Sequence, residues 1–231
     1  MERRVMEINT GLNPKWDSPI RFDLIALKDC FLPSTLDVDG SSPKKERFQE
    51  LFLDSVFQAD VMKETKRFLV ERKLAPAEPN AFKNLLRALW FSSYKRGKRE
   101  NTCGFEHVFL GEKRGQRVLG FHYWLTFYLR EKSGEINYLG SYIRFQSRTP
   151  MGALYAVAFE WDKVWKKNFA RFLIGSSPEF DMALYTAVFL TANQRTPKQF
   201  RLGVSLKHNS SRIAVQCYKL EQTKIGTCYI V

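Results

Sequence analysis

Long apolar runs are missing from this 231-residue chain. None approaches the ~20 residues that a bilayer-spanning helix needs, so no membrane span is expected. The start, MERRVMEINTGLNPKWDSP, carries two arginines with no apolar stretch behind them, which is not the pattern of a secretory leader. The sequence as numbered therefore reads as cytoplasmic or otherwise intracellular, with secretion open to a chain whose leader was removed. Cysteine is scarce. Cys30, Cys103, Cys217 and Cys228 show neither CxxC spacing nor a nearby histidine, so zinc is unsupported, and all four read as free thiols suited to a reducing compartment. Neither GxxxxGK(S/T) nor GxGxxG occurs, which removes the usual phosphate-cradling loops. HExxH and GxSxG are absent too, and with them the common metalloprotease and hydrolase signatures. Histidine numbers only three, and acidic residues (24) fall well short of basic ones (37).

That shortfall leaves a formal charge of +13. Such an excess speaks for an anionic partner, most simply nucleic acid or an anionic membrane, with a merely soluble basic protein as the equal alternative on charge alone. Hydrophobic residues make up 44% of the chain, with 19 Phe, 9 Tyr and 5 Trp, enough for a substantial core. Residues 45–95 carry helical periodicity. Phe48, Leu51, Phe52, Ser55 and Val56 share one face, and Val61, Thr65, Phe68 and Leu69 another. Pro76 and Pro79 interrupt the pattern, and Asn80 is placed as the cap of a third helix. Beyond residue 95 the pattern turns to short strands, among them LYAVAFEW, RLGVSLKH, RIAVQCYKLEQ and TKIGTCYIV. FHYWLTFYLREK fits strand or helix. SPEFDMALYTAVFLTA is a helix, with Ser177 as cap and Pro178 at its first position. The expectation is an α+β protein: a helical N-terminal lobe over 1–95 packed on an antiparallel β-rich catalytic half over 96–231.

Two of the three histidines fall in GFEHVFLGEKRGQRVLGFHYW. Read as a hairpin with an apolar first strand and a turn at KRGQ, this stretch makes His107 and His122 near cross-strand partners, ~5 Å apart at Cβ. Two imidazoles at that spacing can divide acid and base roles on one phosphate near neutral pH. A lysine would then stabilise the charge of a phosphorane. Glu106 and Glu112 stand close enough in sequence to orient an imidazole or hold a cation. A metal site built from His107, Glu112 and His122 is the alternative.

The same residues carry a resemblance. EHVFLGE, GFHYW, IGSSPEF and the terminal GTCYIV together resemble the EndoU (poly(U)-specific) endoribonucleases, over about residues 45–231. The resemblance implies an EndoU-like fold and an enzyme that cuts U-containing single-stranded RNA, leaving 2′,3′-cyclic phosphate and 5′-hydroxyl ends. It implies stimulation by Mn²⁺ or Ca²⁺ at an unknown position, and a monomer is the default. The family's catalytic histidines fall on His107 and His122, with His122 as base, and its carboxylates on Glu106 and Glu112. Its lysine falls in FEWDKVWKKNFARFLIG, where Lys163, Lys166 and Lys167 are all available. Counting forward from Trp161 gives Lys166, and counting back from Gly175 gives Lys167. Lys167 is preferred because a surface turn absorbs the extra residue more easily than a strand. Thr227 and Tyr229 match the residues that select uridine, by hydrogen bonding and by stacking. Two departures stand out: Arg171 where a serine is common, and Tyr123 where an asparagine is usual. The basic stretches KRGKRE, KRGQR and WKK are expected to flank one cleft. An RNA-binding protein that does not cleave is the rival reading.

Overall fold

The computed structural model describes residues 18–35, 40–95, 100–142, 147–149, 152–192, 199–205, 212–220 and 223–231. Four helices come first: α1 (Pro19–Lys28), α2 (Pro43–Gln58), α3 (Asp60–Glu71) and α4 (Pro79–Phe91). Proline punctuates them as sequence rules require, since its missing N–H costs nothing in a first turn. Ser42 caps α2, its hydroxyl accepting from the Lys45 N–H at 3.2 Å. The cap of α4 is Glu78 and not Asn80. The Glu78 carboxylate accepts from the Asn80 N–H at 2.8 Å and from the Ala81 N–H at 2.5 Å. With Pro79 starting the helix, the acceptor has to come from the residue before it.

Three sheets follow. β1 (Tyr94–Lys95) pairs with β2 (Glu100–Thr102). A six-stranded sheet runs β3 (Glu112–Arg114), β4 (Arg117–Leu119), β8 (Trp165–Ile174), β7 (Gly152–Trp161) and β5 (Ile136–Ser141), with β6 (Ser147–Thr149) also on β7. A third sheet orders β11 (Lys224–Ile230), β10 (Arg212–Leu220) and β9 (Gln199–Ser205). The class is α+β, as expected. One pair departs from the antiparallel pattern: β4 runs parallel to β8, with Arg117 beside Lys166. FHYWLTFYLREK resolves to a helix, α5 (Trp124–Lys132). The last helix, α6 (Pro178–Ala192), begins where the Ser177 carbonyl accepts from the Asp181 N–H at 3.1 Å. It packs on α1 and α3 and on the third sheet. Trp90 of α4 donates to the Thr186 hydroxyl at 2.9 Å, so helices from both halves share one apolar core.

Two further expectations are corrected. HVFL is no strand: Glu106–Leu110 form a π-helical turn, closed by the Gly111 N–H on the Glu106 carbonyl at 2.9 Å. Every residue of that turn is buried, and an apolar run buried all round does not reveal its period. Nor are all four cysteines free thiols. Cys217 and Cys228 are disulfide-bonded as direct partners on β10 and β11, Cα to Cα 4.2 Å. Only their register, which sequence spacing does not give, makes them neighbours. Cys30 and Cys103 have no disulfide.

Candidate active site

The π-helical turn delivers His107. The chain then forms the expected tight hairpin, β3–β4, turning at Gly115 and Gln116. His122 lies just beyond it. The histidines are therefore not cross-strand partners; the hairpin register pairs Glu112 with Leu119. Main-chain bonds hold them instead. The Phe121 N–H donates to the His107 carbonyl at 2.8 Å, and the His122 N–H to the Val108 carbonyl at 2.7 Å. This approach demands glycine at 120, where φ is +59° and a Cβ would lie 1.9 Å from the His107 carbonyl oxygen. Phe121 is held at φ +66°, a conformation costing roughly 1–3 kcal/mol in a non-glycine residue. Its fully buried ring, packed against Phe127, Phe159 and Trp161, fixes it there. The two imidazole centroids end 6.4 Å apart.

Each ring has its Nδ1 spoken for. His107 Nδ1 is 2.8 Å from Glu112 Oε2, and that carboxylate is fully buried. His122 Nδ1 is 3.4 Å from the Arg171 carbonyl. A carbonyl or ionised carboxylate only accepts, so both rings carry the proton on Nδ1, and Nε2 is the atom left to meet a substrate. Burial pushes the His122 pKa well below the usual imidazole value, and the positive charge of Lys167 and then of His107 adds to it. Its neutral form therefore dominates at pH 7.

Lys167 faces the same cavity of about 440 Å³ as both histidines. Burial lowers its pKa to about 8, against the pull of Glu112. Lys166 points elsewhere. Its side chain is 62% exposed and ion-paired with Glu160 at 3.2 Å. Alternation along β8 is the reason: neighbouring residues of a strand face opposite sides, and the Lys167 side is the cavity side.

The far wall is the third sheet. Thr227 and Tyr229 of β11 and Tyr218 of β10 line the cavity. The Tyr229 ring stacks on His122 at 4.6 Å and 20°. Burial, with the Tyr218 hydroxyl beside it, pushes the Tyr229 pKa up to about 12. Thr227 Oγ1 is buried and has no hydrogen-bond partner among the described residues. Such a group calls for a ligand or a water.

Glu106 is not brought to this cavity. It is 2% exposed and lines a smaller pocket behind the π-helical turn with Lys45, Cys103 and Phe31. Tyr123 is a structural residue: its hydroxyl donates to the Ser176 carbonyl at 3.3 Å, as Trp124 Nε1 does at 2.6 Å, anchoring the approach to α6. Of the basic stretches, Arg114 and Arg117 are exposed beside the β8 lysines. Lys113 serves structure, paired with Asp162 and lying over the Trp161 and Trp165 rings. Residues 96–99 of KRGKRE lie outside the described residues. The sequence reading also passed over Phe169 and Tyr142; their only signal was aromatic content. No cluster of three or more His, Cys, Asp or Glu side chains among the described residues is arranged to hold a metal ion.

Two imidazoles of fixed tautomer and a buried ammonium on one basic cavity make an acid–base site of the phosphodiester-cleaving kind. Comparison with known proteins agrees. Residues 9–230 match the model of the family described as Endoribonuclease XendoU, reaching further toward the N-terminus than the motifs indicated. The chain belongs to that family. It is 36% identical to uridylate-specific endoribonuclease B of Danio rerio over 90% of this chain and 72% of that one. It is likewise 36% identical to poly(U)-specific endoribonuclease-A of Xenopus laevis, over 90% and 70%. The solved structure of XendoU, described as a splicing-independent snoRNA processing endoribonuclease, superposes with a TM-score of 0.77 at 34% identity, covering 93% of this chain and 79% of that one.

Proposed function

We propose that this protein is a uridylate-specific endoribonuclease that cuts single-stranded RNA by transphosphorylation. The observation that carries the mechanism is the matched pair of imidazoles, each with Nδ1 tied back and Nε2 left for the substrate. Neutral His122 takes the proton of the 2′-hydroxyl. The O2′ attacks the adjacent phosphorus, and the Lys167 ammonium stabilises the extra negative charge that develops on the non-bridging oxygens. His107, entering as an imidazolium whose Nδ1–H is held by Glu112, gives its Nε2 proton to the 5′-oxygen as the P–O5′ bond breaks. The products are a 2′,3′-cyclic phosphate and a 5′-hydroxyl. Uridine preference rests on Thr227 and Tyr229: the uracil lies on the Tyr229 face turned away from His122, and Thr227 Oγ1 bonds its edge. The exposed Arg114, Arg117 and Lys166 supply salt-dependent attraction for the strand. Glu106 has no part in this scheme. Its main-chain carbonyl closes the turn that carries His107.

The test is a single-uridine RNA and its 2′-deoxyuridine counterpart, incubated with the protein with and without Mn²⁺ or Ca²⁺, with the product ends identified. Cleavage of the ribose substrate alone, giving a cyclic phosphate, is expected. Cleavage of both substrates refutes the mechanism. Salt-sensitive binding without any product under any ion favours the non-cleaving alternative.

A further inference from the structure

The cavity does not end at its catalytic wall. Along β8, outward from Lys167, come Phe169 and then Arg171, both lining the cavity. Phe169 is a large aromatic left 37% exposed, and beside it stands Tyr142, 42% exposed. Their rings pack on each other with centroids 5.0 Å apart at 53°. Sheet register makes the contact: the Tyr142 N–H donates to the Ala156 carbonyl at 2.9 Å, and Ala156 is the β7 partner of Arg171. A small residue between the two flanking strands leaves room for the rings to meet above the sheet. The Arg171 guanidinium lies over the Phe169 ring, Cζ 4.7 Å from its centroid. Exposed Arg201 of β9 stands close enough for its charge to bear on Arg171 and on Tyr229.

A singly exposed apolar side chain needs no explanation. Two mutually packed rings with a guanidinium, continuous with a cationic cleft, are another matter. Flat faces beside positive charge are how single-stranded nucleic acid is held, since every base has a face to stack and every linkage a negative charge. The cavity lining runs from Thr227 and Tyr229 past Lys167 to Phe169 and Arg171 on β8 and to Leu119 and Gly120 at the end of β4, so a strand entering it can continue along either side. Among the described residues, exposed aromatic rings stand on the β8 side, at Phe169 and Tyr142.

We infer that Tyr142, Phe169 and Arg171 form a stacking platform for the base of a nucleotide adjoining the cleaved one. This rests on the ribonuclease reading above. The platform binds a base by its face, so it adds affinity without selecting sequence, and Arg171 meets the phosphate or an acceptor edge with a side chain that only donates. The enzyme therefore gains from an RNA that continues past the cleaved linkage.

The experiment compares two substrates. One is uridine 3′-(4-nitrophenyl phosphate), which has no neighbouring base. The other is an oligonucleotide with one uridine flanked by adenosines, made also with an abasic residue on its 5′ or its 3′ side. Tyr142→Ala and Phe169→Ala are expected to lower kcat/KM for the oligonucleotide about 5- to 150-fold more than for the nitrophenyl ester, as for the loss of one stacked base. Phe169→Trp should keep the preference. One of the two abasic substitutions should cost the wild-type protein the same factor and cost the alanine variants nothing more; which one identifies the side the platform serves. Equal losses on both substrates, or abasic penalties undiminished in the variants, would overturn the inference. A wild-type protein that cleaves neither substrate would sink the ribonuclease reading itself.

Discussion

If His107 is the acid and His122 the base, their alanine variants must differ in a way that depends on the leaving group. The 5′-oxygen of RNA leaves as an alkoxide unless it is given a proton, whereas 4-nitrophenolate leaves without one. Replacing His107 by Ala removes the imidazole that Glu112 holds at 2.8 Å. A positioned general acid contributes about 10²–10⁴-fold, or about 3–5 kcal/mol at about 1.36 kcal/mol per tenfold. That loss is expected in full for an oligonucleotide. For uridine 3′-(4-nitrophenyl phosphate) it should shrink by at least ~100-fold, because the missing proton is no longer needed. His122→Ala removes the group that activates the 2′-hydroxyl, which both substrates require, so its loss should be similar for the two. The assay is kcat for each variant on each substrate, with thermal melting alongside. Both side chains are nearly buried, 6% and 7% exposed, so the melting curves separate a chemical loss from an unfolded site. Rescue of His122→Ala in place of His107→Ala would reverse the assignment. Rescue of neither would refute the division of labour between the two imidazoles.

Other expectations follow from the same geometry. The pH profile of kcat/KM should show a plateau: His122 acts as neutral imidazole and its pKa is depressed, so the acid limb lies below pH 6.5, while Lys167 acts as a cation and loses its proton near pH 8, so the alkaline limb falls no later than about pH 8. A rate that keeps rising above pH 9 would contradict the role of Lys167. Thr227→Val keeps the side-chain shape and deletes a hydroxyl oxygen that has no partner among the described residues. Stability should hold or rise while the preference for uridine over cytidine falls by about 2- to 10-fold, the worth of one net hydrogen bond, as read by competition between two labelled RNAs. Reducing the Cys217–Cys228 disulfide, which closes a loop of sequence separation 11, should cost about 3 kcal/mol on the loop-entropy model, seen as a lower urea midpoint with dithiothreitol; no change would mean that the pairing of β10 with β11 holds the loop unaided.

The sequence revealed the reactive side chains better than the backbone that arranges them. His107, His122 and Thr-x-Tyr at the end are legible because rare residue types in fixed motifs survive without any knowledge of geometry. Lys167 was reachable by counting, and the strand phase shows why it faces the cavity while Lys166 does not. The π-helical turn was not legible. Its five residues are all buried, so no polar position marks a period, and the closing bond from Gly111 looks in sequence like any glycine before a strand. Glu106 was grouped with Glu112 on nearness and on the resemblance, whereas Glu106 lines a separate pocket behind the π-helical turn. The disulfide and the Tyr142–Phe169 pair share one cause: both join residues that become neighbours only through strand register, which β-bulges such as those near Tyr138 and Val157 shift in ways one sequence does not disclose.

The cavity has two walls of different ancestry in the chain. The proton-handling groups stand on the π-helical turn, the segment after β4, and β8, whereas Thr227 and Tyr229 stand on a C-terminal hairpin that the disulfide closes on itself. No covalent bond but the continuous chain joins that hairpin to the reactive wall. On the proposed assignment the base-reading and the cutting residues therefore sit on separate elements, so substitutions confined to the hairpin are the direct route to an altered base preference with the same cutting chemistry.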